Sequence, residues 1–216
     1  MVQSLTRERP AVRVAKGLQT RDRILDIAQA AVLEKGFAAT SIDEILFEAG
    51  ITKSGFFYHF RDKNDLALAL IRRFQMEDRE LHAALFDRAD ELTDDPLQAF
   101  LVGLKLMAET FRDLKTRNPG CLVATFVHQD AQFDAAVRAV SVEITLEWRA
   151  RFLTRLEAIA ERYPLRTDLE LDTLADMLTA VVDGGIIIAK ALRQPEILER
   201  QIMAYRTLVR AAFLGT

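Results

Sequence analysis

Residues 40–65 read TSIDEILFEAGITKSGFFYHFRDKND, and how that run divides into helices decides the fold. Ile42, Ile45, Leu46 and Ala49 recur at the spacing of one helical face, behind Thr40-Ser41, with Asp43 and Glu44 each placed three residues after a hydroxyl that can cap. Gly50 then stops the helix, and Thr52 caps a third one carrying Lys53 to His59. Asp62 with Asp65 starts a fourth that runs on through Leu66, Leu70 and Phe74. Upstream, Ile24, Ile27, Ala28, Ala31 and Val32 mark a first helix that ends at Gly36. Short helices joined by a tight glycine turn are the layout of a helix-turn-helix.

That layout assigns roles. With Ile42, Ile45, Leu46, Ile51, Phe56 and Phe60 buried against helix one, Lys53, Ser54 and Gly55 stand at the exposed start of helix three, where side chains enter the DNA major groove. Lys53 is the candidate base contact. Gly55 sacrifices about 1 kcal/mol of helix propensity relative to Ala, which marks a place where a base or backbone comes close. Ser41 and Thr52 sit at helix N-termini, where unpaired N–H groups and the helix dipole favour phosphate. Tyr58 and His59 on the outer side of helix three, Lys63 and Arg21 complete the candidate DNA contacts. The first 23 residues carry Arg7, Arg9, Arg13, Lys16, Arg21 and Arg23 against only Glu8 and Asp22. Residues 1–19 are accordingly read as a basic flexible arm suited to gripping phosphate, 20–65 as the DNA-binding domain, and 66–216 as a larger helical domain.

From Thr20 to Phe74 the residues resemble the DNA-binding domain of TetR-type (tetracycline-repressor-like) regulators. Phe37-Ala38-Ala39-Thr40-Ser41, Glu48 through Gly55, and Tyr58-His59-Phe60 followed by Lys63 carry the likeness. One departure is Phe57, where the family usually places a tyrosine, so that hydroxyl's phosphate contact does not carry over. The resemblance implies a ligand-responsive regulator, a repressor that holds a palindromic operator as a homodimer and is released by a small hydrophobic effector. Alternatives are a transcriptional activator, or a helical ligand-binding or electrophile-sensing module, acting through Cys121, without repressor activity.

Composition agrees with an all-α protein. Half of the 216 residues are hydrophobic, and only five prolines and nine glycines interrupt the chain. The net charge of −3 is not that of a general polyanion binder, and ten Lys/Arg against nine Asp/Glu over residues 1–65 put the basic excess in the arm. The opening residues lack the apolar core of a signal peptide, and Asp183 and Lys190 interrupt the greasiest stretch, so a soluble cytoplasmic protein is expected. The single cysteine excludes an intrachain disulfide and a multi-cysteine zinc site.

Beyond residue 66 the punctuation is sparse: Asp94-Asp95-Pro96, Asn118-Pro119-Gly120, Tyr163-Pro164 and Arg193-Gln194-Pro195. The family likeness implies a ligand cavity here, with Leu104, Met107, Phe111, Phe126, His128, Trp148 and Phe152 as candidate lining. The last two helices are apolar on more than one face. They are expected to form the dimer interface through Leu178, Val182, Gly185, Ile186, Ala189, Ile202, Tyr205 and Val209. Cys121 lies at a helix start, where a dipole can activate a thiol, although a buried inert thiol is the commoner case. No catalysis, cofactor or metal is expected. Cys121 and His128 are seven residues apart on one helix, about 10 Å, too far for a nucleophile and its base, and no phosphate-binding glycine loop or metal-spaced cluster occurs.

Overall fold

Side-chain caps decide where the helices begin. Ser41 Oγ accepts from the Glu44 N–H at 3.1 Å, Thr52 Oγ1 from Gly55 at 3.2 Å and Asp62 Oδ1 from Asp65 at 2.8 Å, each satisfying a donor that the first helical turn leaves without a partner. Gly50 closes the second helix at φ +60°, its N–H turned back onto the Leu46 and Phe47 carbonyls. The chain is a computed structural model that describes residues 10–114 and 120–215. Its order is α1 (Pro10–Lys35), α2 (Ile42–Ala49), α3 (Lys53–His59), α4 (Lys63–Leu92), α5 (Pro96–Leu114), α6 (Leu122–His128), a 3-10 turn (Asp130–Gln132), α7 (Ala135–Arg162), α8 (Leu171–Leu192) and α9 (Glu196–Leu214). No strand occurs among the described residues. None of their helices is long and apolar enough to cross a membrane.

α1, α2, α3 and the start of α4 close a small head over Ile24, Ala28, Val32, Ile45, Phe56, Phe60, Leu66 and Leu70, all buried. α4 is unbroken across residue 66 and continues into the larger body, so one rigid element belongs to both cores. In the body α5 is central, burying Phe100, Leu104 and Met107 between α4, α7 and α9. The α4–α5 approach is close: a Cβ on Gly103 would meet the Phe86 ring at 2.3 Å.

The N-terminal arm needs correction. Residues 10–19 are the opening turns of α1 rather than a flexible segment. Arg7 and Arg9 lie outside the described residues.

Candidate nucleic-acid interface and ligand cavity

α3 buries one side chain, Phe56, and turns the rest of its surface outward. Lys53, Ser54 and Thr52 are exposed at its start, and Tyr58 is 82% exposed near its end. The Thr52 and Ser54 hydroxyls lie 3.0 Å apart. Because Thr52 and Ser41 accept from their own helices, only their O–H hydrogens remain to offer a phosphate. Gly55 is not required by internal packing. A Cβ there would make only ordinary contacts, 3.4 Å to Thr52 Oγ1 and 3.7 Å to Ile51 Cβ. The Arg21 guanidinium rests over the Phe60 ring at 5.3 Å. Burial, with the Arg21 charge beside it, holds the His59 imidazole below its ordinary pKa and therefore neutral at pH 7. Phe57 is 44% exposed on the same helix.

Lys63 also has contacts within the chain. Its Nζ donates to the Phe37 carbonyl at 2.7 Å and lies 4.4 Å from the centre of the Phe37 ring, half-buried, and burial lowers its pKa. It fastens the α1–α2 turn to the start of α4. From the other side, the Gln129 side chain accepts from the Phe37 and Ala38 N–H groups at 2.9 and 3.2 Å. Gly36, at φ +86°, leaves room for it, since a Cβ would sit 2.5 Å from Gln129 Nε2. Phe37, Phe126 and Phe133 cluster at this junction with centroids 4.3 to 5.8 Å apart. The head is thus gripped by the residue that ends α6. Sequence patterning missed Gln129 because nothing local links positions 92 residues apart.

The other end of α6 borders a cavity of about 390 Å³, within the range of small-molecule sites. It is walled by Phe74, Glu77, Asp78, Leu81 and His82 of α4, Met107 and Phe111 of α5, Cys121, Trp148 and Phe152 of α7, Leu178, Thr179, Val182, Asp183 and Ile186 of α8, and Leu198 of α9, with Gln29 and Gly120 at its margin. Burial pushes the Asp78 carboxyl up, but hydrogen bonds from His82 and Trp148 and the Arg151 charge outweigh it and hold Asp78 below its ordinary value. Trp148 Nε1 donates to Asp78 Oδ2 at 2.8 Å. Asp183 has no such set of partners, and burial raises its pKa despite the Cys121 thiol and the His128 charge.

Of the expected lining, Met107, Phe111, Trp148 and Phe152 border the cavity. The other three do not. Leu104 is in the core, Phe126 packs against Phe37 and Phe133, and His128 is exposed at the end of α6. The expected dimer contacts also move. Leu178, Ile202, Tyr205 and Val209 are at most 2% exposed within the chain, and the Tyr205 hydroxyl donates to the Leu174 carbonyl at 2.7 Å. They have no surface left for a partner. Val182 and Ile186 face the cavity. Ala189 is half-buried. Gly185 is buried under Leu198, to which a Cβ would come within 3.0 Å, so the helix that approaches it is the chain's own α9. Cys121 caps α6, its Sγ accepting from the Ala124 N–H at 3.4 Å. Burial, with Asp183 beside it, pushes the thiol up to about 12, which disfavours the thiolate that reacts with electrophiles.

Residues 24–70, the head and the first turns of α4, match the model of the bacterial regulatory proteins of the tetR family. The head is a TetR-type DNA-binding domain, and the chain is a transcriptional regulator. Over 175 residues the chain is 29% identical to the HTH-type transcriptional repressor BepR of Brucella suis biovar 1 (strain 1330), covering 79% of this chain and 80% of that protein. It is 27% identical over 173 residues to the HTH-type transcriptional regulator TtgR of Pseudomonas putida, covering 78% and 79%. A solved TetR transcriptional regulator from Chloroflexus aurantiacus J-10-FL superposes with a TM-score of 0.71 at 26% identity, over 90% of this chain and 96% of that one. Regulators of this type are not enzymes, in agreement with the exclusion of catalysis from histidine and cysteine spacing.

Proposed function

We propose that this regulator is a repressor that holds a palindromic operator as a homodimer and releases it when a small molecule fills the cavity. The observation that carries the reading is the span of α6. Cys121 at its start borders the cavity, and Gln129 just beyond its end holds the α1–α2 turn, so a ligand that displaces α6 moves the head. α4 offers a second route, because it lines the cavity and also supplies Leu66 and Leu70 to the head core. A nearly complete switch needs about 5.5 kcal/mol of differential ligand affinity between the two states.

For the dimer, the apolar surface left open on α8 is about half a turn away from the residues first expected. Ala180, Gly184, Ile187 and Ala191 follow one another along α8 at helical spacing, and Ala204 and Leu208 are exposed on α9. Ile187 is 58% exposed, and nothing lies within 4 Å of a Cβ on Gly184. Such a face suits the close approach of a second copy. Two-fold pairing there places the two α3 helices one DNA turn apart, roughly 34 to 36 Å.

The test is a mobility-shift titration with the DNA upstream of the chain's own gene. It should give two protomers per palindromic site, with operator release by compounds that raise the melting temperature in a screen of hydrophobic metabolites. A chain that stays monomeric and shifts no upstream DNA, or one whose thermal-shift ligands leave operator affinity unchanged, defeats the proposal.

A further inference from the structure

The cavity wall carries a charge imbalance. Glu77, Asp78 and Asp183 line it, whereas no lysine or arginine among the described residues does. Two of the three carboxylates are compensated from behind. Glu77 faces Arg73 Nε at 3.6 Å, and Asp78 is held by Trp148, His82 and Arg151. Asp183 forms no ion pair among the described residues; the Cys121 thiol bonds to it, and the exposed His128 acts on it only at a distance. A carboxylate removed from water without a cation beside it is unfavourable, and a bound cation relieves that penalty. Four aromatic side chains, Phe74, Phe111, Trp148 and Phe152, share the wall and attract a cation through their ring faces. The three carboxylates would repel an anion, and a neutral ligand would leave Asp183 as it is.

We propose, building on the ligand-responsive reading above, that the cavity takes a lipophilic organic cation, an amine or quaternary ammonium whose charge sits at Asp183 and whose apolar body lies among the rings. Trp148 is the chain's single tryptophan and lines the site, so its fluorescence reports occupancy directly. The experiment titrates the full chain with phenylbutyl-trimethylammonium, the neutral dimethylamide of phenylpentanoic acid, and the phenylpentanoate anion. The cation should bind at least about tenfold tighter than the amide, with the anion weakest. Asp183→Asn should bring cation and amide to within about twofold, and Asp183→Glu should keep the cation first.

Amide or anion binding as tightly as the cation, an absence of quenching by all three, or an unchanged cation preference in Asp183→Asn would each overturn the proposal. Should Asp183→Asn fail to fold, the ranking of the three probes on the unaltered chain and on Asp183→Glu still decides. The two readings fail separately. Operator release by the amide or the anion sinks the charge preference and leaves ligand response intact, whereas cation binding that never releases the operator sinks ligand response alone.

Discussion

α3 and α6 are each seven residues long and each begins at a side-chain cap, Thr52 Oγ1 for one and Cys121 Sγ for the other. Their surroundings make them different devices. α3 buries only Phe56, so its first turn and its outer face are free to meet another molecule. α6 buries Leu122, Val123 and Phe126 and is wedged between α1, α4 and α7, so a displacement at one end is passed to the other. A short exposed helix can read a surface, and a short enclosed one can transmit a shift between two sites.

That contrast can be broken most directly at α3. Replacing Lys53 and Tyr58 together by Ala should weaken operator binding roughly a hundredfold, as expected when a base contact and a flanking contact are lost together. The melting temperature should not change, because both side chains are exposed. Near-normal affinity in a mobility shift would mean that α3 is not the reading surface. Gln129→Ala tests the opposite helix. It removes the grip on Phe37 and Ala38 and should shrink the ligand-induced loss of operator affinity by about tenfold, a typical coupling energy, while the cavity still quenches Trp148. An undiminished ligand response would assign the transmission to α4 alone. The smallest effect is expected from Gly55→Ala, which should raise stability by up to about 1 kcal/mol through helix propensity while lowering operator affinity about fivefold through crowding at the groove. Thermal melts and mobility shifts on the same sample separate the two, and a tighter operator complex would contradict the reading of Gly55 as a point of close approach.

Much of the head is legible in the sequence because its signals are local. The limits of α3, Lys53–His59, follow from the Gly50 turn and the Thr52 cap without knowledge of the rest of the chain. The body is legible only as a set of helices. α8 is apolar nearly all round, and periodicity shows that more than one face is covered but not by what. One face meets α9, one borders the cavity and a third stays open, which is why periodicity alone assigns Leu178, Val182 and Ile186 to a partner. The break between α6 and α7 contains no glycine or proline to mark it. Its one signal is Asp134, whose carboxylate accepts from the Val137 N–H at 3.0 Å.

The bond from Lys63 to Phe37 has a consequence for how the protein responds to salt. DNA binding weakens with ionic strength in proportion to the phosphates a protein neutralises, with a slope of about −0.9 per phosphate on logarithmic axes. A carbonyl and a ring do not neutralise an ammonium, so Lys63 keeps its charge and two further N–H donors, held in place before DNA arrives. If it meets a phosphate, Lys63→Ala should lower that slope by about 0.9 per protomer, about 1.8 for each operator in the proposed homodimer.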